Sequence, residues 1–397
     1  MSQVSDRLAA LSPSETLAMS QKSNELKAQG IDVINLSVGE PDFFTPDHIK
    51  IAAHKAIDDN FSFYSPVPGY PALRNAIVAK LKKENDLEYK PEQIVCSNGA
   101  KQAVCNVILS VVGPGDEVII PAPYWVSYVE MVKLAEGTNV VVPAGIDQNF
   151  KITAAQLEAA ITPKTKAIIL CSPSNPTGSV YTREELKALA DVLAKHAKIV
   201  IISDEIYEHI NYAGKHESIA RFENIRDRVV IINGVSKAYA MTGWRIGWIA
   251  APQWIASACN KLQGQYTSGP NSVAQKASEV AYTGTQDCVE TMRKAFERRR
   301  DLMVQLGKEI PGFRVNKPEG AFYLFPDCSF YLGKSFNGKK IEDSAGLAMY
   351  LLEEGHVACV GGAAFGAPGC IRFSYATSDE NLTEAMRRVK VALSKLV

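Results

Sequence analysis

Seven short runs rich in valine and isoleucine lie between residues 93 and 250 and constrain the fold most strongly. They span residues 93–96, 117–120, 139–142, 166–170, 198–203, 229–233 and 244–250. Most are continuously apolar, which is typical of strands covered on both faces. Helical patterns separate several of them, for example at 182–197. This alternation predicts an α/β domain built on a mostly parallel seven-stranded sheet.

The pattern changes after the charged stretch 293–301, where short predicted strands at 320–325, 357–360 and 370–375 are separated by helices. We interpret this part as a smaller α+β domain that the N-terminal segment completes. The predicted organisation is an N-terminal part of the small domain at 1–45, a large domain at 46–292 and a small C-terminal domain at 293–397. With 397 residues, 46% of them hydrophobic, the chain is long enough for more than one core.

Charge and cysteine usage narrow the classes of function. The formal net charge is zero, which gives no indication of nucleic acid or an anionic membrane surface as a partner. The eight cysteines form no Cys-x-x-Cys pair, as expected of free thiols in a reducing compartment, and the six histidines do not cluster with them, so no metal is indicated. Without a signal-peptide core or a membrane-spanning stretch, the expected location is the cytoplasm.

Lys237 follows a predicted strand after the turn residues Asn233 and Gly234. Open α/β sheets bind their ligands just beyond such strand ends. A lysine amine there, beside Ser236 and near Arg245, suits pyridoxal 5′-phosphate (PLP), because the cofactor's aldehyde forms a Schiff base and its phosphate needs donors and positive charge. Taken alone, the segment fits a solvated loop lysine equally well.

Asp204 ends another apolar strand, where an isolated buried charge is costly and needs a partner. That partner is commonly structural, such as a helix N-terminus. If PLP is bound, the carboxylate would instead face the pyridine nitrogen and keep it protonated, which makes the cofactor an electron sink. Tyr207, three residues on, could donate to the cofactor's phenolic oxygen or simply pack.

Three further segments have the composition of ligand-binding turns. Gly99 opens an apolar helix whose first N–H groups could bind an anion, although a glycine there is often only a cap. Asn175 presents an amide between rigid turn residues, and Trp125 could stack on an aromatic ring or lie in the core. The chain contains neither a G-x-G-x-x-G fingerprint nor a G-x-x-x-x-G-K-[ST] loop, which argues against NAD and ATP.

Eight motifs occur in order along nearly the whole chain. They are Val38-Gly39-Glu40-Pro41-Asp42, Tyr64-Ser65-Pro66-Val67-Pro68-Gly69, Gly99-Ala100-Lys101-Gln102, Pro123-Tyr124-Trp125, Asn175-Pro176-Thr177-Gly178, Asp204-Glu205-Ile206-Tyr207, Ser236-Lys237 with Gly243-Trp244-Arg245-Ile246-Gly247, and Ile371-Arg372-Phe373-Ser374. Together they resemble the fold-type I PLP-dependent aminotransferases of class I/II, and most of all the bacterial-type aspartate aminotransferases. The resemblance implies the aspartate aminotransferase-like fold of PLP-dependent transferases.

The resemblance also implies roles for individual residues. Lys237 would be the Schiff-base lysine and the base that moves the α-proton, in a ping-pong exchange that proceeds through the Lys237 aldimine. Arg372 would bind the substrate α-carboxylate, with Asn175, Trp125 and the backbone of Gly39 also contacting substrate. The other implied cofactor contacts are Asp204 to the pyridine nitrogen, Tyr207 and Asn175 to the phenolic oxygen, Trp125 to the ring face, and Gly99, Ala100, Lys101, Ser236 and Arg245 around the phosphate. Tyr64 would reach the phosphate of the neighbouring subunit, which implies a homodimer with composite active sites.

The implied reaction moves an amino group from an L-amino acid, expected to be L-aspartate, to a 2-oxo acid, expected to be 2-oxoglutarate. A dicarboxylic substrate needs a second cation, and the resemblance gives this part to Lys101, with Ser14 and Thr16 in the same pocket. Lys101 could instead lie beside the phosphate without touching substrate, and Glu15 would weaken an acidic-substrate pocket if it points inward. Aromatic amino acids, prephenate and kynurenine therefore stay open as amino-group partners.

Two other classes share the implied fold and lysine. One comprises lyases such as carbon–sulfur β-lyases and cyclopropane-forming synthases, which differ in how the pocket directs the carbanion. The other class is a non-catalytic PLP-binding regulator. Such a protein should carry a DNA-binding domain, whereas here the catalytic fold is expected to take up the chain. One departure from the family pattern is Gly361-Gly362, which stands where Pro-Gly is usual. We expect a looser backbone there.

Overall fold

The computed structural model describes residues 4–397. Its strands are β1 (Ile34–Asn35), β2 (Ile94–Asn98), β3 (Glu117–Ala122), β4 (Thr138–Pro143), β5 (Thr165–Cys171), β6 (Val200–Asp204), β7 (Val229–Gly234), β8 (Ile246–Ala250), β9 (Tyr323–Leu324), β10 (Ser335–Phe336), β11 (Lys339–Lys340), β12 (Val357–Ala358), β13 (Val360–Gly361) and β14 (Ile371–Ser374). Its helices are α1 (Asp6–Ala9), α2 (Glu15–Ala28), α3 (Asp47–Asp58), α4 (Pro71–Asn85), α5 (Gly99–Val111), α6 (Ser127–Leu134), α7 (Ala154–Ala160), α8 (Arg183–Leu193), α9 (Gln253–Gly264), α10 (Ser272–Thr283), α11 (Asp287–Lys308), α12 (Ser344–Gly355) and α13 (Asp379–Leu393).

The central sheet contains the seven strands that the apolar runs predict, in the order β2-β8-β7-β6-β5-β3-β4. Only β8 runs antiparallel to its neighbours, and every other pairing between adjacent strands is parallel. The predicted mostly parallel α/β sheet is therefore confirmed. The last strand begins at Ile246 rather than at 244, because Arg245 has a left-handed backbone with φ of 58°.

The central strands are buried on both faces. β6 and β7 contain no exposed residue, and one hydrophobic cluster packs on each side of the sheet. Burying both faces explains why these strands are continuously apolar rather than alternating. Since parallel strands end at the same edge, the segments that follow β5, β6 and β7 meet there, and Cys171 at the end of β5 lies opposite Asp204.

A further hydrophobic cluster, separate from the two on the central sheet, combines residues that are far apart in the sequence. Leu36, near the N-terminus, shares this core with Phe296 of α11 and Phe373 of β14. The antiparallel sheet β13-β14-β9 and the parallel pair β1-β12 lie in this part. The predicted strands at 320–325 and 357–360 are shorter than expected, and the second is divided into β12 and β13. The domain boundaries stay predictions.

All eight cysteines are free thiols. Among residues 4–397, no helix has both the length and the apolar character needed to cross a bilayer.

Candidate active site

A cavity of about 500 Å³ opens at the sheet edge where β5, β6 and β7 end. We call it the active-site cavity. The predicted site residues in its wall are Gly39, Ala100, Lys101, Trp125, Asn175, Asp204, Tyr207, Ser236, Lys237, Arg245 and Arg372, and Ser14 and Thr16 also lie there. Residues far apart in the sequence thus face one space.

Two predicted site residues, Gly99 and Tyr64, do not line this cavity. Gly99 lies behind the wall, with φ of +80° and its Cα packed against Arg245, so that any side chain there would overlap the guanidinium. Tyr64 is 98% exposed and does not line the cavity.

Lys237 lies in the turn after β7, and its Nζ donates a hydrogen bond of 2.6 Å to the carbonyl oxygen of Gly39. The pKa of the amine is lowered to about 8, mainly by burial. The positive charges of Arg372 and Arg245 also lower this pKa, whereas the negative charge of Glu40 raises it. A buried amine among cations is more easily neutral, which a lysine needs in order to act as a nucleophile or base.

Asp204 lies at the end of β6 and is 4% exposed. Its Oδ2 accepts a hydrogen bond of 2.6 Å from the Tyr128 hydroxyl, and its Oδ1 accepts one of 3.2 Å from the Ile206 N–H. Burial raises the pKa of this carboxyl to about 6, although both hydrogen bonds favour the ionised form. Within residues 4–397 the carboxylate makes no ion pair, so a cation placed beside it in the cavity would stabilise its charge.

Tyr128 is a site residue that the sequence reasoning missed. It lies in α6, is 1% exposed, and its ring packs edge-to-face on Trp125 at 5.4 Å between centroids. Trp125 lies just before α6, and the Tyr128 N–H donates a hydrogen bond of 3.0 Å to its carbonyl oxygen, so closeness in the sequence to Trp125 is the only signal that pointed to Tyr128. Its partner Asp204 is 76 residues away along the chain, and such a pairing has no local signature.

Arg372 lies in β14 and is 2% exposed. Its Nη1 donates to Asn175 Oδ1 at 2.9 Å and its Nη2 to the Ser37 carbonyl at 2.6 Å, while its buried Nε has no partner among the described residues. Burial lowers the pKa of the guanidinium, but arginine keeps its charge in proteins. A buried planar cation with donors facing a cavity is suited to binding a carboxylate.

One end of the cavity, at the start of α5, has groups suited to binding an anion. Helix α5 begins at Gly99 without a side-chain cap, so its first N–H groups have no side-chain acceptor. Arg245 lies across this end, where its Nη2 donates to the Asn98 carbonyl at 3.2 Å and its Nη1 to the Thr242 carbonyl at 2.8 Å. Ser236 lies on the same wall.

Lys101 follows in the first turn of α5, with its Nζ 5.1 Å from the centroid of the Trp125 ring. Burial lowers the pKa of its amine, and the charge of Arg245 adds to this effect. Glu15 does not line the active-site cavity but borders a separate space of about 210 Å³ with Lys22 and Met349. Glu15 therefore does not meet the condition under which it would weaken an acidic-substrate pocket, since it is not part of the active-site wall.

The expected looser backbone at Gly361-Gly362 is not observed either. Gly361 pairs with Ile371 across β13 and β14, and a Cβ on it would lie 2.8 Å from the backbone of Ser344 and Ala345. A Cβ on Gly362 would overlap the carbonyl of Ala367. Both glycines are required by close backbone packing, and neither lines the active-site cavity.

One group of potential metal ligands lies elsewhere in the described residues, formed by Glu84, Glu208 and His209. The ammonium of Lys80 contacts Glu208 directly and lies 3.5 Å from Glu84. Lys80 thus already provides, beside these two carboxylates, the positive charge that a metal ion would otherwise provide.

Comparison with known proteins assigns the family. The model of "Aminotransferase class I and II" matches residues 31–389. The chain belongs to this family. An aspartate/prephenate aminotransferase of Cereibacter sphaeroides is 50% identical over 98% of both chains. Among solved structures, the aspartate aminotransferase of Rhizobium meliloti is 42% identical with a TM-score of 0.96, covering 100% of both chains. That of Thermus thermophilus with maleate is 41% identical with a TM-score of 0.92, covering 99% of this chain and 100% of the other.

The chain is therefore an aminotransferase, its fold is that of the fold-type I PLP enzymes, and its cofactor is PLP. The predictions of family, fold, activity and cofactor from the motifs are confirmed. The aminotransferase site also fits PLP on its own geometry. It offers an amine for the aldehyde at Lys237, a buried carboxylate without a cation at Asp204, and an uncapped helix start beside Arg245 for the phosphate.

Proposed function

We propose that this aminotransferase transfers the amino group of L-aspartate to 2-oxoglutarate by a ping-pong mechanism. The observation that supports this choice is the presence of two cationic side chains, Arg372 and Lys101, in the wall of one cavity that also contains Lys237. A dicarboxylate needs one cation at each end, and an amino acid with an apolar side chain would leave the second cation unpaired. The hydroxyls of Ser14 and Thr16 in the same wall add donors for the distal carboxylate.

The proposed cofactor contacts follow the arrangement of the cavity wall. Lys237 would hold PLP covalently, Asp204 would pair with the pyridine nitrogen, and Tyr207 and Asn175 would contact the phenolic oxygen. The phosphate would lie at the start of α5, and the residues proposed to bind it are Gly99, Ala100, Lys101, Ser236 and Arg245. Trp125 would cover the ring face. Bound there, PLP supplies an electron sink for the electron pair left when the α-proton of the amino acid is removed.

In the proposed mechanism the protein orients substrate and moves protons. The guanidinium of Arg372 would bind the α-carboxylate as a fork, assisted by Asn175 and the backbone of Gly39. The Lys237 amine, whose pKa is lowered to about 8, would take the α-proton in its neutral form and return it to the cofactor. Asp204, held by Tyr128, would keep the pyridine nitrogen protonated during this transfer.

We also propose a homodimer with composite active sites. Tyr64 is 98% exposed, and Phe63 beside it and Phe44 are 80% and 92% exposed. Aromatic side chains are enriched at interfaces, and their exposure here is unusual for a lone chain. In the dimer Tyr64 would reach the phosphate of the neighbouring subunit. We propose a cytoplasmic location, which the eight free thiols support.

Prephenate is the second candidate amino-group partner, because the Cereibacter sphaeroides relative is named for both aspartate and prephenate. Prephenate also carries two carboxylates, so the pair Arg372 and Lys101 fits it in the same way. Aromatic amino acids such as phenylalanine, and kynurenine, have no second carboxylate.

The first experiment mixes the PLP-loaded enzyme with L-aspartate in the absence of a 2-oxo acid. We expect the visible cofactor band to change and about one oxaloacetate to form per subunit, as a ping-pong half-reaction requires. Lys237→Ala is the control, and we expect it to bind PLP without covalent attachment and to lose turnover. Full activity of this variant would refute the assignment of Lys237.

Lys101→Met tests the distal contact in the same assay. Loss of a charge-assisted hydrogen bond should raise the half-saturating aspartate concentration about 10- to 100-fold, and leave that for phenylalanine unchanged. The proposed phosphate contact of Lys101 is through its backbone at the start of α5; an equal loss for both amino acids, together with weaker PLP binding, would assign its side chain to the phosphate as well. No response to aspartate but a rapid response to phenylalanine would contradict the proposed substrate.

A further inference from the structure

Tyr323 contacts two groups of the active-site cavity that belong to separate sequence motifs, the Tyr207 hydroxyl and the Arg372 guanidinium. It lies in β9, is buried, and faces the cavity. Its hydroxyl is 2.7 Å from the hydroxyl of Tyr207, and the guanidinium of Arg372 lies over its ring, 4.6 Å from the centroid. We propose that Tyr323 is a positioning residue that couples the cofactor-facing hydroxyl of Tyr207 to the carboxylate-binding guanidinium of Arg372. This inference rests on the roles proposed above for Tyr207 and Arg372.

The hydroxyl pair sets the direction of a hydrogen-bond chain. A tyrosine hydroxyl has a single proton to donate. If Tyr207 donates that proton to the cofactor's phenolic oxygen, its own oxygen must accept the proton of Tyr323, which has the required distance of 2.7 Å. Bonds in such a chain polarise one another, so donation by Tyr323 strengthens donation by Tyr207. The backbone of Gly39 packs directly against the Tyr323 hydroxyl and limits its movement.

The ring of Tyr323 acts on the other partner. Tyr323 pairs with Ser374 across β9 and β14, two residues from Arg372 on the same strand. The guanidinium also lies 4.9 Å from the centroid of the Phe365 ring, and its two Nη atoms are bonded to Asn175 and Ser37. Stacking on aromatic faces fixes the plane of a guanidinium, and a fixed plane orients its fork toward a carboxylate.

One rigid side chain therefore sets the spacing between the cofactor contact and the carboxylate contact. Tyr323 lies 5.9 Å from the Tyr207 ring centroid and 4.9 Å from that of Phe322, in a buried aromatic cluster. Packing on several sides holds it in one rotamer. The two functions of the side chain can be separated, since the hydroxyl serves Tyr207 and the ring serves Arg372.

Tyr323→Phe tests the hydroxyl. We expect the pH midpoint of the bound cofactor's visible absorption to rise by about half a pH unit or more, with KM for aspartate unchanged. Weaker donation by Tyr207 leaves more negative charge on the phenolic oxygen, which then holds the neighbouring proton more tightly. Tyr350→Phe is the matched control, because it removes a buried hydroxyl bonded to the Ala392 carbonyl outside the cavity wall. We expect no shift in that variant.

Tyr323→Leu tests the ring. Loss of a buried cation–aromatic contact should raise KM for aspartate about 5- to 30-fold, with a smaller change in kcat. An unchanged pH midpoint in Tyr323→Phe overturns the hydrogen-bond chain, and an unchanged KM in a folded Tyr323→Leu overturns the support of Arg372. An unshifted pH midpoint in Tyr207→Phe would instead refute the proposed role of Tyr207, and an unchanged KM in Arg372→Lys would refute that of Arg372. Failure of this inference and failure of the proposed function are therefore distinguishable.

Discussion

The carboxyl of Asp204 is more easily protonated in the folded chain than in water, because burial raises its pKa to about 6. In an unfolded chain an aspartate titrates near pH 4. Between these values the folded state binds more protons, so folding stability falls as the pH rises from about 4 to 6. Above about pH 6, burial of the charged group lowers the free energy of unfolding of the PLP-free protein.

We therefore predict that Asp204→Asn stabilises the PLP-free protein at pH 7 by roughly 2–3 kcal/mol and leaves it unchanged at pH 4. The amide oxygen can still accept the hydrogen bond from Tyr128. Denaturant unfolding of both proteins at the two pH values measures the difference. Equal stability at pH 7 would mean that the carboxylate is already balanced by a group other than the cofactor.

Residues in local motifs were predictable, and residues that act through tertiary contacts were not. Position after a strand and residue type made Lys237 and Asp204 candidates, whereas Arg372 was indicated only by the resemblance of its motif to the family. Tyr128 and Tyr323 are tyrosines in apolar surroundings, where packing is the ordinary explanation. Their partners, Asp204 and Tyr207, are brought to them only by the fold.

Among the secondary-structure elements, the pair β13 and β14 connects Gly361 with Arg372, the proposed α-carboxylate ligand in the cavity wall. Val360 pairs with Arg372, and Gly361 pairs with Ile371. Because Gly361 packs against the start of α12 with no room for a Cβ, this contact fixes β13, and β13 in turn fixes the strand that carries the arginine.

We predict that Gly361→Ala destabilises the protein by about 1–3 kcal/mol, as overpacking does, and raises KM for aspartate more than it lowers kcat. Gly346→Ala is the control, since its Cβ would meet only Asp343 Oδ1 at 3.4 Å and alanine is favoured in a helix. Thermal unfolding and steady-state kinetics of both variants measure these effects. A Gly361→Ala protein as stable as wild type would show that the backbone can yield at this point.

The strands were predicted most accurately where both faces of the strand are buried. The inner strands of the central sheet were found because both faces are covered, which produces long apolar runs, whereas the edge strand β4 is partly exposed. The two-residue strands β9, β12 and β13 are too short to show any periodicity, and their bounds were wrong for that reason. Gly361-Gly362 was misjudged because the sequence does not show which backbone atoms approach a glycine.

At the scale of the whole molecule, the proposed dimer can be tested by exchanging subunits between two variants, because the exposed Tyr64 would act in the site of its neighbour. A Lys237→Ala subunit lacks its own reactive amine but keeps Tyr64 for its neighbour. A Tyr64→Phe subunit keeps Lys237 but offers its neighbour no hydroxyl. A mixed dimer would contain one site with both groups and one site with neither.

We predict that each site in the Tyr64→Phe homodimer binds PLP about 10-fold more weakly, and that mixing it with Lys237→Ala subunits recovers activity at limiting PLP. The assay compares the mixture, after subunit exchange, with the two homodimers measured separately. Activity equal to their sum, with dimer exchange verified by native mass spectrometry, would place Tyr64 outside the neighbouring site.

The parallel pairing of β1 with β12 has a consequence for biosynthesis. Ile34 is made long before Val357, yet the two lie side by side in the folded protein. The Ser37 carbonyl likewise cannot accept its hydrogen bond from Arg372 until that residue has been made. While the ribosome is still translating the central sheet, the N-terminal segment has no strand to join and must be kept from pairing elsewhere. A nascent chain released before residue 372 would lack the arginine proposed to bind the α-carboxylate, so we expect only chains that include residue 372 to become active enzyme.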